Sequence, residues 1–452
     1  YNYVDPEVVE ELLEAGEILD VHIRIGIEMS SRFLDKYVRM TWSPHGFTDS
    51  HSLLHFLREK QVEILMEEGR QVSRYQQRYV FQVLEAFNRR HRHTLAEELA
   101  FEIRALDKQA FIDSVGTGQP SLLHLAKFIH STLQPRIKEE IRILGERYGT
   151  AGTDEHHELH SRLERFRTVT RETLIDRFLQ PGRNPEIVDP NIPHDDADVP
   201  ALLHTSPREL LERLSALHSG SHFILSLSNL SIQDTLELLY DCQGKITHIE
   251  SYNLKDASHG MPAGPDIHAT AGPAGEAVAI INPERTYSLT NTLQKALNED
   301  NVIVLKRTIR EIIWDFENSR VGLERNLEQS RGSETFSEAM LGAMTTELKA
   351  MDSRKERLLN ILFDIETFHT YYRKRNLGSR IGSSSTGQSE HQYGMGLVVL
   401  DTLPPRARRE AIREVRQNRR KCLPVTARMV NHRHTRRSAR PQRLLGRILG
   451  CL

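Results

Sequence analysis

"VHIRIGIEMSS", residues 21–31, decides how this chain is read. Val21, Ile23, Ile25 and Ile27 alternate with His22, Arg24 and Gly26, which is the period of a half-buried strand. Gly26 lets the backbone pass close to a neighbour. Glu28 falls where the strand is expected to end, followed by Met29 and the small polar pair Ser30–Ser31. A strand that buries four β-branched side chains is a rigid support. A carboxylate at its end is either a solvated cap or salt-bridge partner, or a ligand for a hard divalent cation.

Working outward, residues 5–19 read as a helix, with Asp5 as N-cap, Pro6 at its first position and Val8, Val9, Leu12 and Leu13 as the apolar stripe. A second strand, Tyr37 to Trp42, precedes the loop "SPHGF". Residues 49–112 carry apolar side chains at three- and four-residue spacing. "GTGQP" (116–120) breaks that pattern and Ser121 caps its resumption. The expected organisation has five parts: the first part of an α/β body (1–48), a helical insertion (49–180), a Pro/Asp-rich linker (181–203), the second part of the body (204–400, with a helical segment 286–375) and a basic tail (401–452). Within 204–400 the strands "HFILSLSN" (222–229) and "KITHIESYN" (245–253) alternate with capped helices, "LGSRIGSSSTGQSEHQYGMG" (377–396) reads as a Gly/Ser loop, and "LVVLDTL" reads as a last strand.

Composition narrows the class. Apolar residues are 38% and charged residues 27%, enough for a sizeable core under a heavily charged surface. No run of 18 apolar residues exists, so no membrane-spanning helix is expected. Three widely spaced cysteines exclude a disulfide framework and a cysteine zinc site, and point to a reducing, cytoplasmic setting. The net charge of −2 hides an asymmetry: residues 401–452 hold 15 Lys and Arg against 3 Asp and Glu, and the rest of the chain is acidic. Such a tail can contact nucleic acid, another anionic partner or the acidic body of its own chain. It lacks interleaved aromatics for stacking on bases.

Parallel α/β sheets place function beyond the carboxyl ends of their strands. That rule singles out Glu28, the Ser228–Asn229–Ser231 region, the pair His248 and Glu250 (one face of a strand, with Ile249 on the other) and the 382–396 loop. Ser231 is equally a helix cap, and His124 on the helix after Ser121 is equally a structural histidine. Ser383, Ser384, Ser385 and Thr386, with Arg380 before them, are candidate phosphate-binding residues. The loop is not a Walker motif, because the Gly-Lys-Ser/Thr ending is absent. There is no Gly-x-Ser-x-Gly elbow and no His-Glu-x-x-His helix. "HHELH" (156–160) has chelating spacing but also reads as a solvated helix face.

The strand ends, taken in order, resemble the polymerase and histidinol phosphatase (PHP) superfamily of metal-dependent phosphoesterases. "GIEMS" (26–30) matches the family's strand ending Gly-Ile/Val-Glu-hydrophobic-Ser/Thr, "GQPSLLHLAKFI" is similar to its Gly-Arg-Pro-His segment, and "GKITHIESYN" looks like its Ile-Glu-x-Tyr-Asn strand. The resemblance implies a distorted β/α barrel and two or three divalent metal ions, manganese, iron or zinc. It implies Glu28, His45, His124 and Glu250 as metal ligands, and a phosphorylated small molecule or nucleotide as substrate. It also implies that the family's opening His-x-His and Asp-His ligands lie before Tyr1. The chain departs from the family at Leu227-Ser228-Asn229, where the family has Ala-His-Pro, and at Gly382 to Thr386, where it has Gly-Ser-Asp-x-His. Those departures leave two functions open: a metal-dependent phosphoester hydrolase, or a catalytically degenerate relative that acts as a binding or regulatory module.

Overall fold

The computed structural model describes residues 2–19, 23–116, 119–148, 153–228, 230–253, 283–331, 338–373, 375–382, 397–399, 409 and 448–450. The chain divides into two compact units: residues 1–3, 34–37 and 64–204 form one, and residues 4–33, 38–63 and 205–452 the other.

The 64–204 unit is helical. Helices Lys60–Ala86 and Leu122–Tyr148 carry its longest apolar stripes. Phe87, Phe111, Leu125, Ala126, Ile129 and Leu179 are fully buried in one continuous cluster. Asn88, in the π turn that ends the first helix, clamps the backbone of Leu106: its Nδ2 donates to the Leu106 carbonyl at 2.8 Å and its Oδ1 accepts from the Leu106 N–H at 2.8 Å. The Pro/Asp-rich stretch 181–203 falls within this unit. Its Asn184 is fully buried, donating to the Phe178 carbonyl at 2.9 Å, with His91 at 2.9 Å from its Oδ1.

The second unit is built on a five-stranded sheet, β1 (Ile27–Phe33), β2 (Lys36–Ser43), β3 (His222–Leu225), β4 (His248–Asn253) and β5 (Gly378–Gly382), in that order. β2 and β3 are antiparallel; β3, β4 and β5 run parallel. The mixed α/β class expected from the sequence is present, but the sheet is open rather than a closed barrel among the described residues. The β1–β2 hairpin and the antiparallel β2–β3 pair interrupt the parallel β/α repeat a barrel needs. Among the described residues, β5 is held beyond β4 by a helix and not by another strand. Gln294, on helix Pro283–Asn298, donates to the carbonyls of Leu377 and Gly378 at 2.8 and 2.9 Å, and Asn298 bonds both backbone groups of Leu377. Among the described residues, no helix is long and apolar enough to cross a membrane.

Three local expectations change. The first strand starts at Ile27, with 23–26 outside it and Val21 and His22 outside the described residues, so Glu28 is its second residue and not its end. The alternation continues through Met29, Ser31 and Phe33, all buried, so the Ser30–Ser31 pair lies inside the strand; Ser31 has no exposed surface. Gly26 does admit a close neighbour, since a Cβ there would stand 2.7 Å from the Thr41 methyl. Finally, "GSRIG" (378–382), read as the start of a loop, is strand β5, because pairing with β4 and the Gln294–Asn298 clamp supply its backbone bonds. The short antiparallel pair β6 (Leu397–Val399) and β7 (Ile448–Gly450) includes the expected last strand.

Candidate functional site on the polar face of the sheet

The sheet has two chemically opposite faces. Register and alternation put Ile27, Met29, Val38, Met40, Trp42, Phe223, Leu225 and Ile249 on the buried one, where the Trp42 indole N–H donates to Ser221 Oγ at 2.7 Å. The other face carries Glu28, Thr41, Ser43, His222, His248, Glu250, Gly378 and Arg380.

Three histidines form an arc there. The rings of His45 and His222 are 4.9 Å apart, and those of His222 and His248 are 4.8 Å apart. His45 follows β2, His222 opens β3 and His248 opens β4. The parallel register sets His248 beside Gly378 and Glu250 beside Arg380. Both glycines of β5 serve close approach: a Cβ on Gly378 would meet the His248 ring at 2.3 Å, and one on Gly382 would meet the Glu250 carboxylate at 2.1 Å.

Thr247 anchors the His248 ring. Its Oγ1 accepts from the Phe223 N–H at 2.8 Å and lies 3.1 Å from the Phe223 carbonyl and 2.9 Å from His248 Nδ1. That contact turns Nδ1 toward Thr247 and Nε2 away from it. Burial drives the His222 pKa down to about 4, helped by the charges of His45, Arg380, Arg24 and Arg375. His45 is also lowered, first by burial and then by Arg24 and Arg380, although it is exposed and so better screened. Burial also lowers the Arg24 pKa. The result is a face on which Arg24 and Arg380 hold the imidazoles of His45 and His222 toward the neutral form, with the carboxylates of Glu250 and exposed Glu28 beside them.

Of the residues expected from the sequence, His45, Glu250 and Arg380 come together here, and exposed Glu28 lies on the same face. His124 belongs to the other unit. Its Nδ1 sits 2.8 Å from Ser121 Oγ at the start of its helix, and burial lowers its pKa. Ser383 to Thr386 and Asn229 lie outside the described residues. Among the described residues, Glu28, His45, His124 and Glu250 make no set of three whose ligand atoms lie within 4.8 Å of one another. His194, Asp196 and Asp198 of the helical unit do make one. His222 and Arg24 are not among the expected residues, because a rule about the carboxyl ends of strands passes over His222 at the amino end of β3 and Arg24 ahead of β1. The available signal was "SHFILS", an imidazole in phase with the polar side of a strand.

No family model matches the chain, and no curated protein matches its sequence. Among solved structures, the chain is similar to the crystal structure of a candidate metal-dependent phosphoesterase from Bifidobacterium adolescentis, with 12% identity and a TM-score of 0.28, over 62% of this chain and 67% of that one. A likeness of that size carries no argument about activity.

Proposed function

We propose that the polar face of the sheet binds a phosphate ester of a small molecule or nucleotide and hydrolyses it with divalent metal ions, as the resemblance to PHP phosphoesterases implies. What supports this reading is the gathering of three imidazoles, Arg380, the nearby charge of Arg24 and the carboxylates of Glu250 and Glu28 on one face. His45 and His222, both with lowered pKa values, are neutral near neutral pH, the form that ligates metal. With His248 and Glu250 they offer nitrogen and oxygen donors of the kind manganese, iron and zinc take, with Glu28 a further candidate on the same face; no three of their ligand atoms stand within 4.8 Å of one another, so an ion would have to draw them together. A bound metal would supply Lewis acidity and an acidified water. Arg24 and Arg380 would neutralise phosphate oxygens through charge-assisted hydrogen bonds. Gly378 and Gly382 keep Cβ atoms out of the positions held by His248 and Glu250. Ser383 to Thr386 follow β5 directly in the chain and are proposed to contribute donors to the phosphate.

A second reading, an anion-binding module without turnover, is favoured by one observation. Arg24 and Arg380 act on His45 and His222 as positive neighbours, and the same charges oppose a bare cation as much as they attract an oxyanion. The test is metal content by elemental mass spectrometry, with manganese-supported hydrolysis of an aryl phosphate and equilibrium binding of inorganic phosphate, on wild type, His222→Gln, Glu250→Gln and Arg380→Gln. Bound metal and turnover, both lost in the His222 and Glu250 variants, establish the hydrolase. Phosphate binding that needs Arg380 but brings no turnover establishes the module. Neither binding nor turnover sinks both.

A further inference from the structure

Two helices of the sheet unit present exposed faces of opposite charge. Helix Pro6–Ile18 carries five glutamates, Glu7, Glu10, Glu11, Glu14 and Glu17, and no lysine or arginine. Its buried residues are only Val9 and Gly16, and Glu10 pairs with Arg58 at 3.4 Å. The other four glutamates have no cationic partner among the described residues. Beside them runs an apolar ridge, Val8, Leu12, Ala15 and Leu19, spaced i, i+4, i+7 and i+11 on one helical face. Val8, Leu12 and Leu19 are 50, 45 and 68% exposed.

The second face belongs to helix Val302–Arg331. Ile303 and Trp314, 83 and 61% exposed, stand 11 residues apart and so share a face three turns long. Arg307 and Arg310 lie between them on that face and Lys306 flanks it, all three exposed. Arg307 bonds Glu311 of its own helix at 3.1 Å. Lys306 and Arg310 have no carboxylate partner among the described residues.

Single apolar side chains in water need no explanation, but a ridge three turns long beside a band of one charge marks an interaction surface. Both faces belong to one unit and both are exposed, so neither covers the other within a chain. Their lengths match, about 16 Å each, and their charges are opposite. We propose that they cover each other between copies: the acidic face of helix Pro6–Ile18 packs on the basic face of helix Val302–Arg331 in a second copy of this chain. Packing buries Leu12 and Leu19 against Ile303 and the Trp314 indole, and sets Glu11 and Glu14 against Lys306 and Arg310. Apolar burial supplies the attraction, and the charges select the partner and the register. The contact joins unlike faces, so a two-fold pair makes it twice and an open row of copies makes it once per neighbour.

The experiment is sedimentation velocity of the full chain over the micromolar range at low and high salt, with tryptophan emission recorded in parallel. The proteins are wild type, Glu11→Lys/Glu14→Lys, Lys306→Glu/Arg310→Glu, an equimolar mixture of these two double variants, and Leu19→Ser. Wild type is expected to associate as concentration rises, with Trp314 emission moving to the blue as the indole leaves water, and to associate more weakly at high salt. Each double variant alone should associate about a hundredfold more weakly, and Leu19→Ser about tenfold more weakly. The mixture should regain wild-type association, because each variant then meets faces of opposite charge on the other. The four reversed residues are exposed, so their replacement leaves the core untouched. A wild type that stays monomeric, or association that survives either reversal, would overturn the proposal. So would a mixture that associates no better than its components, and that result would assign the acidic face to another occupant, the basic tail 401–452 of its own chain first.

Discussion

Replacing Arg354 by methionine tests the reading of the buried charges in the sheet unit. Arg354, on helix Glu338–Phe363, donates from Nε to Glu237 Oε1 at 2.5 Å and from Nη2 to Asp234 Oδ1 at 2.6 Å, and both carboxylate side chains have no exposed surface. Asp234 is also the capping-box partner of Ser231, so its charge is tied to the start of helix Ile232–Asp241. Methionine keeps the aliphatic length and removes both donors. Each charge-assisted hydrogen bond is worth about 1.5–3 kcal/mol, and stranding a buried partner costs about 3–5 kcal/mol. Arg357 Nη2 remains 3.1 Å from Glu237 Oε2, so Glu237 keeps one cationic neighbour and the expected loss is about 4 kcal/mol near neutral pH. The pH dependence has a definite sign. Burial already raises the Glu237 pKa in the folded state against the pull of Arg354 and Arg357. Without Arg354 it rises further, and a carboxyl whose folded pKa exceeds its unfolded one destabilises the fold progressively as pH climbs through that interval. The penalty is therefore largest at neutral pH and shrinks on acidification, by up to about 1.4 kcal/mol per pH unit across the interval. Both tryptophans, Trp42 and Trp314, lie in this unit, so urea unfolding followed by tryptophan fluorescence reports on it. A loss below about 1 kcal/mol, or one that does not change with pH, would refute the reasoning. Adding Glu237→Gln to Arg354→Met should recover part of the loss at neutral pH.

Other outcomes follow from single contacts. Gly378→Ala drives a Cβ into the His248 ring and, because the strand is clamped by Gln294, should displace that ring; it is expected to abolish metal or phosphate binding at the sheet while fluorescence still reports a folded unit. Leu34, at the first turn position between β1 and β2, has φ of 54° and an exposed side chain, so Leu34→Gly should raise stability by about 0.5–1 kcal/mol, read as a shift in urea midpoint at constant slope. Asn88→Ala strands both backbone groups of Leu106 and should cost the helical unit about 2 kcal/mol, measured as loss of hydrogen-exchange protection in residues 79–111; unchanged protection would show that water satisfies Leu106.

The sequence was legible where one local rule governs. Asp5 and Pro6 start the first helix, and Ser206 and Ser231 cap theirs with the capping-box geometry their spacing implies. The alternation through Ile25 and Ile27 carries the right phase, and His248 and Glu250 share one face as their spacing requires. What was not legible depends on long-range partners. The strand at Ile27 begins late, and whether Glu28 begins or ends it depends on pairing with a hairpin partner that periodicity does not reveal. "GSRIG" has the composition of a loop and becomes a strand because Gln294 and Asn298, about eighty residues earlier, bind its edge. The sheet stays open for the same kind of reason, since a barrel requires every connection to keep one direction and the β1–β2 hairpin reverses it.

His248, Glu250 and Arg380 lie where the strand-end rule looks, and His222, which links His45 to them, lies where it does not. In a sheet of mixed direction, the polar side of the sheet gathers side chains regardless of which strand end carries them, so His45 after β2 meets His222 before β3. The rule that function lies beyond carboxyl ends presumes that all strands share one direction, and the antiparallel β2–β3 pair removes that premise. In the helical unit, a stretch rich in proline and aspartate reads as a linker because such composition has no periodicity. Proline and Asx turns are also how a chain holds alternate side chains outward without a partner strand. "PHDDADVP" does this, with Asp189 turning the backbone by accepting from the Asn191 N–H at 2.9 Å and the Ile192 carbonyl orienting His194. The physical sign that separates such a segment from a tether is satisfied polarity around a buried anchor. Asn184 supplies it here, fully buried and bonded to Phe178, and it ties the stretch to the core of its own unit.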